Sequence, residues 1–394
     1  MAVVGAVAFV VIAVLRVPWD PIPGGPLHPP SASSVFTAEE IQRAEDYAGT
    51  QRLLSWASLA VSLAVACVLG FSRIGAGFVE RVRGPWWWRV VVAVAALAVV
   101  GRLATLPFSI VLRHRALEFG LTNQAWGAYA VDLAKGLAVG VVATSIALVV
   151  LVGVVRRWPR AWPAVAGLLM AGLVMLGSFV YPLLVEPLFN HFEPLEDGPL
   201  RTQILELADR EGVRVDDVLV ADASRRTTTL NAYVSGFGSS RRVVVYDNLV
   251  DRSSGVDDPE ILSVVAHELG HARHDDVLTG SLLGAAGALF GVGLLGLLVG
   301  GAVDPRQVPR VLALAAIASL LVSPVENGIS RRIETRADVA SLRATDDPEA
   351  FAEVQKELAL KSLADPTPYA WSQFWFGSHP TTLQRIALAE RFAG

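Results

Sequence analysis

The 394-residue chain has a single cysteine, Cys67, set in an apolar run. That excludes a disulfide framework and any metal site built mainly from thiolates, so a bound metal would need His and carboxylate ligands. Histidine is also scarce, at seven residues, which makes each position informative. The chain has no basic excess. Lys plus Arg number 33 against 37 Asp plus Glu, a net charge of −4, so nothing points to nucleic acid as a partner. Charge of either sign is sparse, at 18% against about 25% in soluble domains. Hydrophobic residues fill 53% of the chain and the mean hydropathy is +0.48. Such a chain is too apolar for an ordinary soluble protein and is expected to sit in a lipid bilayer.

Seven apolar stretches stand out, at about 2–15, 53–71, 90–112, 136–155, 164–185, 280–303 and 311–325. A helix needs about 20 apolar residues to cross a bilayer. The middle five stretches meet this, and the first and last need flanking residues. The first has no basic residue between Met1 and its apolar run, unlike a cleaved signal, and is read as a retained span. Arg102 lies well inside the third stretch, so it is expected to face a polar cavity or the protein interior rather than lipid. Trp86, Trp87 and Trp88 precede that stretch as an interfacial belt would.

Between the spans lie two less apolar regions. Residues 20–52 form a polar connection ending in a helical stretch from 37. Residues 187–279 form a soluble insert. In it helices are expected at 200–211 and 258–276, and strands at 213–220, 231–237 and 242–246, with turn signals at Gly236 and 238–240. The last helix of the membrane region is expected to run on to about residue 344, followed by a polar tail from 346. This gives a mainly α, integral-membrane fold in four parts. A five-span domain covers 1–186, the soluble insert 187–279, two further spans 280–325, and a helix with the tail 326–394.

The sharpest signal is His267-Glu268-Leu269-Gly270-His271, H-E-x-x-H, within a helical pattern. Positions i and i+4 share a helix face, so two imidazoles can meet one Zn²⁺. Glu268 lies beside them, where it can take a proton from a water at the metal. Two histidines leave a tetrahedral ion short of a ligand. A candidate comes from a polar stripe on the helix after the last span, formed by Asn327, Arg331, Glu334 and Asp338. Glu334 is expected as third ligand and Asp338 as the carboxylate that fixes a histidine tautomer. Read alone, the stripe would be a solvated face. His274 reads as an exposed helix residue. His379, in Ser378-His379-Pro380, is a candidate donor to an oxyanion. The run Asn231-Ala232-Tyr233 through Gly238 reads either as an edge strand that pairs with a peptide or as an internal strand.

Taken together these residues resemble the type I CAAX prenyl endopeptidases, seven-span membrane zinc proteases. Further matches are Phe36-Thr37-Ala38-Glu39-Glu40, Leu106-Pro107-Phe108, Glu186-Pro187-Leu188-Phe189-Asn190 and Ser330-Arg331-Arg332-Ile333-Glu334 with Ala337-Asp338. The resemblance implies helices ringed around a water-filled chamber. It implies one Zn²⁺ per chain held by His267, His271 and Glu334, with Glu268 as general base and later acid. Asp338 would support the ligands, His379 and Arg385 would lie beside the metal, and Asn231, Ala232 and Tyr233 would bind the peptide; Asn327, from the polar stripe, is expected beside the ligands as well. The implied partners are the bilayer and a peptide or protein substrate, lipidated CAAX chains among the candidates. The family site faces the cytoplasm, whereas the arginines of the short connections place the insert outside.

Three rivals differ in what they require. An HtpX-like quality-control protease shares the motif with fewer spans. A site-2-type protease would carry the motif within a span, but here Asp257, Asp258, Glu260, Asp275 and Asp276 flank it. A transporter or scaffold explains the spans and not the metal constellation.

Overall fold

A computed structural model describes residues 1–236, 241–299 and 303–394. The first half of the chain forms Ala2–Arg16 (α1), Ala38–Phe71 (α2), Trp86–Glu118 (α3), Trp126–Arg157 (α4) and Trp162–Val180 (α5). The soluble lobe contributes Pro199–Arg210 (α6) and Asp258–Arg273 (α7), and the chain returns to the membrane region as Asp276–Val299 (α8) and Val308–Thr345 (α9). Six helices among the described residues are long and apolar enough to cross a bilayer: α2, α3, α4, α8, α9 in its 305–345 extension, and α5 continued to Phe189.

The seventh expected span is shorter than the others. At 15 residues and 1.5 Å per residue α1 reaches about 22 Å, less than the roughly 30 Å of a hydrocarbon core. It packs tightly on α8 instead. A Cβ on Gly5 would lie 2.3 Å from the Phe290 backbone nitrogen, and one on Gly293 would lie 2.2 Å from that of Ala2. Glycine is therefore required at both contacts, as at close helix crossings in membranes.

The spans bury little of their surface on one another. A solid bundle buries a stripe on each helix. Yet of the 34 residues of α2 only Ala44 is buried, and the most apolar stretches of α2 and of the 162–189 helix bury none. Such helices keep their apolar side chains on the outside, as helices that cross a bilayer do. Arg102 is partly buried on α3, and its Nε has no hydrogen-bond partner. The helix continuing α5 widens into a π turn at Tyr181–Val185, where Pro182 lacks an N–H to donate.

The lobe is built on a four-stranded sheet, Phe192–Pro194 (β1), Asp217–Ala221 (β2), Ala232–Ser235 (β3) and Arg242–Tyr246 (β4). Its order is β1-β2-β4-β3, with β2 and β4 parallel and both outer pairs antiparallel. Ile204 and Leu207 of α6 and Ile261, Val265 and Leu269 of α7 share a core with Val218, Val243 and Val245 of the sheet. The three-residue β1 carries no alternation to reveal it in sequence. The strand expected over 231–237 is observed over Ala232–Ser235, and Phe237 with the turn residues 238–240 lies outside the described residues.

The expected polar tail is instead folded. It forms Pro348–Ser362 (α10), Ala370–Phe376 (α11) and Thr382–Ala393 (α12). Phe351 of α10 and Leu388 of α12 close a core on Val339 and Leu342 of α9. The membrane helix and the C-terminal segment thus become one scaffold beneath the lobe.

Candidate metal centre

Helix α7 begins with a capping box, in which Asp257 accepts from the Glu260 N–H and Glu260 accepts from that of Asp257. It runs against α9 because the facing residues are small. A Cβ on Gly270 would lie 3.0 Å from the Ala340 Cβ and 3.4 Å from the Ala337 Cα. Gly270, inside the H-E-x-x-H, therefore sets how closely the two helices approach.

That approach brings three donors together from two elements. His267 Nε2 lies 3.1 Å from His271 Nε2, Glu334 Oε2 lies 3.3 Å from the former, and Glu334 Oε1 lies 3.6 Å from the latter. Bonds of 2.0–2.1 Å to a tetrahedral zinc put neighbouring ligand atoms about 3.3 Å apart, so these separations fit such an ion. Among the described residues Glu334 Oε2 is buried without a hydrogen-bond partner, as expected of an oxygen reserved for a metal. A donor atom of Glu268 lies within 4.8 Å of those of both histidines.

Each imidazole is held from behind by a carboxylate. His267 Nδ1 lies 2.8 Å from Asp338 Oδ1, and Asp338 is almost wholly buried. Its oxygens also accept from Arg385 Nε at 3.1 and 3.0 Å. His271 Nδ1 lies 3.0 Å from Asp276 Oδ2. A proton on Nδ1 donated to each carboxylate leaves both Nε2 lone pairs free for a metal. Burial opposes a charge on His267, but Asp338 and Glu334 outweigh it and hold its pKa at about 10. The carboxylates thus favour positive charge where the ion would lie. Burial also raises the pKa of Glu268, moving it toward the neutral range where a general base works best.

The polar stripe of α9 divides into two parts. Glu334 and Asp338 face the histidines. Asn327, expected beside the ligands, instead donates to the Trp375 carbonyl at 2.6 Å, and Arg331 donates to the Gln373 carbonyl at 3.0 Å. Both fasten α11, just before His379. Gln373 Nε2 donates to the His379 carbonyl at 2.6 Å, and Ser378 Oγ lies 2.9 Å from its Nδ1. His379 Nε2 then lies 3.4 Å from Glu334 Oε2, with the side chain exposed. Arg385 holds Asp338, and its Nη2 also lies 3.3 Å from His267 Nδ1.

The residues expected to hold a peptide divide similarly. Asn231 is exposed at the start of β3, with its carbonyl accepting from the Tyr246 N–H at 3.0 Å. The Ala232 side chain is buried in the core of the lobe. Tyr233 packs edge-on against Tyr246, and burial raises its pKa. Among the described residues β3 pairs only with β4, so it lies at the edge of the sheet.

Sequence reasoning treated Asp276 only as a charge flanking the motif. It returns to His271 because Asp275 adopts a left-handed φ of 52°, turning the chain between α7 and α8. An acidic residue five positions after the second histidine was the available signal. His274, expected to be exposed, is half-buried at the C-terminal cap of α7.

A set of membrane-spanning helices joined to a lobe whose α7 carries two histidines and an adjacent glutamate, with a distal glutamate on α9, defines an integral-membrane metallopeptidase. Known proteins agree. The model of Peptidase family M48 matches residues 194–393, and that of the CAAX prenyl protease N-terminal region, five membrane helices, matches 26–191. The chain belongs to peptidase family M48. It is 27% identical over 380 residues to the uncharacterised metalloprotease YhfN of Bacillus subtilis, covering 91% of this chain and 87% of that one. It is 32% identical over 188 residues to CAAX prenyl protease 1 of Saccharomyces cerevisiae, 46% of this chain and 40% of the other. The crystal structure of S. mikatae Ste24p superposes with a TM-score of 0.81 at 20% identity, covering 99% of this chain and 98% of that one. That likeness extends to the fold.

Proposed function

We propose that the chain is a zinc endopeptidase that binds one Zn²⁺ through His267, His271 and Glu334. The observation that carries this reading is the convergence of those donors, each imidazole backed by a carboxylate, beside Glu268. Zinc held there would act as a Lewis acid, polarising a peptide carbonyl and acidifying water. Glu268 takes the proton of the attacking water and passes it to the leaving amine. His379 donates to the oxygen that gains charge as the carbonyl becomes tetrahedral. Asp338 and Arg385 hold His267 in place. The substrate lies extended along β3, with Asn231 and Tyr233 at its edge.

The substrate is proposed to be a membrane-associated peptide or protein. Prenylated CAAX chains are one candidate, after the yeast relative's name, and general membrane-protein turnover is the other. The metal centre is proposed to face the cytoplasm, as the family resemblance implies. A second orientation has its own support. Arg73, Arg81, Arg83, Arg156, Arg157, Arg160 and Arg306 lie at the ends of the spans away from the centre, and the positive-inside rule read on them alone would set the centre outside. Labelling an engineered cysteine near Asn231 in intact cells distinguishes the two.

The deciding experiment compares wild type with Glu268→Gln. The variant is expected to keep zinc and lose peptide cleavage. Wild-type protein without zinc, or equal cleavage by the variant, would overturn the reading. Membrane proteomes of cells carrying each form would then name the uncut substrates.

A further inference from the structure

Asp276 is buried between a metal-facing histidine and a guanidinium. Its Oδ2 lies 3.0 Å from His271 Nδ1, and its Oδ1 accepts a hydrogen bond from Arg336. Arg336 stands on α9 two residues after Glu334, with its side chain largely covered. Its other terminal nitrogen, Nη1, reaches the carbonyl of Arg16 at 3.5 Å, the last residue of α1. Arg16 Nε in turn lies 3.3 Å from Thr279 Oγ1, and Thr279 is fully buried on the first turn of α8, three residues after Asp276. These contacts close a circuit through α1, α9 and α8 that ends on one imidazole.

We propose that Arg336 is a positioning residue for His271, and that the C-terminal end of α1 completes its setting. This rests on reading the centre as a metal site. A buried carboxylate with a single neutral partner is costly, and it is free to choose between rotamers. Arg336 neutralises Asp276 and fixes its second oxygen, so the first can face only His271. The carbonyl end of α1 carries partial negative charge and favours the guanidinium at that spot. Arg336 touches neither the ion nor the peptide, so its effect passes through Asp276 to the ligand. The short first helix therefore bears on the chemistry as well as on anchoring.

The test uses the full chain in detergent, with zinc competed against a chelator and peptide cleavage followed in parallel. Arg336→Gln is expected to weaken zinc binding by roughly tenfold or more. At saturating zinc it should lower kcat and leave KM nearly unchanged, because the peptide edge is untouched. Arg336→Lys should recover most of the loss by restoring a charge beside Asp276. Thr279→Val, nearly isosteric, removes the acceptor that holds Arg16 and should shift zinc affinity the same way by a smaller factor. Unchanged zinc affinity in both Arg336→Gln and Thr279→Val, or no recovery by Arg336→Lys, would overturn the inference. Absence of zinc binding by wild type would instead overturn the metal reading beneath it.

Discussion

His267 and Asp338 meet at 2.8 Å between Nδ1 and Oδ1, and Arg385 grips the same carboxylate. One imidazole is thereby tied to α9 and to α12 at once. Three distant parts of the chain must be folded together before that ring has a fixed tautomer.

Asp338→Asn keeps the shape of this contact and removes its charge. Zinc affinity should fall by about 10- to 100-fold. Because Asp338 is buried and its partner Arg385 would lose its counter-charge, thermal stability should fall too. Chelator competition and thermal unfolding measure the two effects separately.

Gly270→Val tests the helix approach. The added Cβ would press on Ala340 and Ala337, and the branched side chain has no room to turn aside. A loss of about 1–3 kcal/mol of stability is expected. Zinc content should drop as well, since α7 is pushed from the helix that carries Glu334. Gly270→Ala, which asks for a shift of only a few tenths of an ångström, should be milder on both measures.

Much of this centre could be read from the sequence, and its gaps have physical causes. The H-E-x-x-H and the i, i+4 pair Glu334 and Asp338 announce themselves because helical spacing alone puts their side chains on one face. The spans were legible from long apolar runs. Asp276 was hidden because its role depends on the left-handed turn at Asp275, a conformation that Asp adopts without glycine's signature. Asn327 shares the stripe of Glu334, yet the packing of α11 decides which neighbour it meets, and no spacing rule reaches that far. The C-terminal segment read as polar because its apolar residues are spread over three short helices that find their core only against α9 and the first connection, through Ile22 and Leu27.

Acid should expose the contribution of one ion pair of the lobe. Asp217 accepts from Arg201 at 2.8 Å and from the Val218 N–H at 2.8 Å, and the Arg201 hydrogen bond leads in holding its pKa below the usual value. A depressed carboxylate stabilises the fold above the unfolded pKa of about 4, and that contribution is lost as pH falls through the lower folded value. Asp217→Asn should therefore cost about 0.5–1 kcal/mol at pH 7. The gap from wild type should close at more acidic pH in parallel unfolding curves.

Metal removal gives a direct measure of coupling. With zinc at about 100 times its dissociation constant, binding adds about 2.7 kcal/mol to the folded state. Chelation should lower the melting temperature, and added zinc should restore it. Glu334→Gln should show little response to either treatment, whereas Glu268→Gln should respond like wild type.

The 38 residues of α9 form one continuous helix, with Pro324 inside it, that runs from the far end of the membrane region past Glu334 and Asp338. The two imidazoles ride on a separate rod rooted in the sheet. A coordinated cation would rivet these two rods, so a change in bilayer thickness that tilts the lipid-embedded one would load the rivet directly. Catalytic output would then carry a mechanical signature of the surrounding lipid.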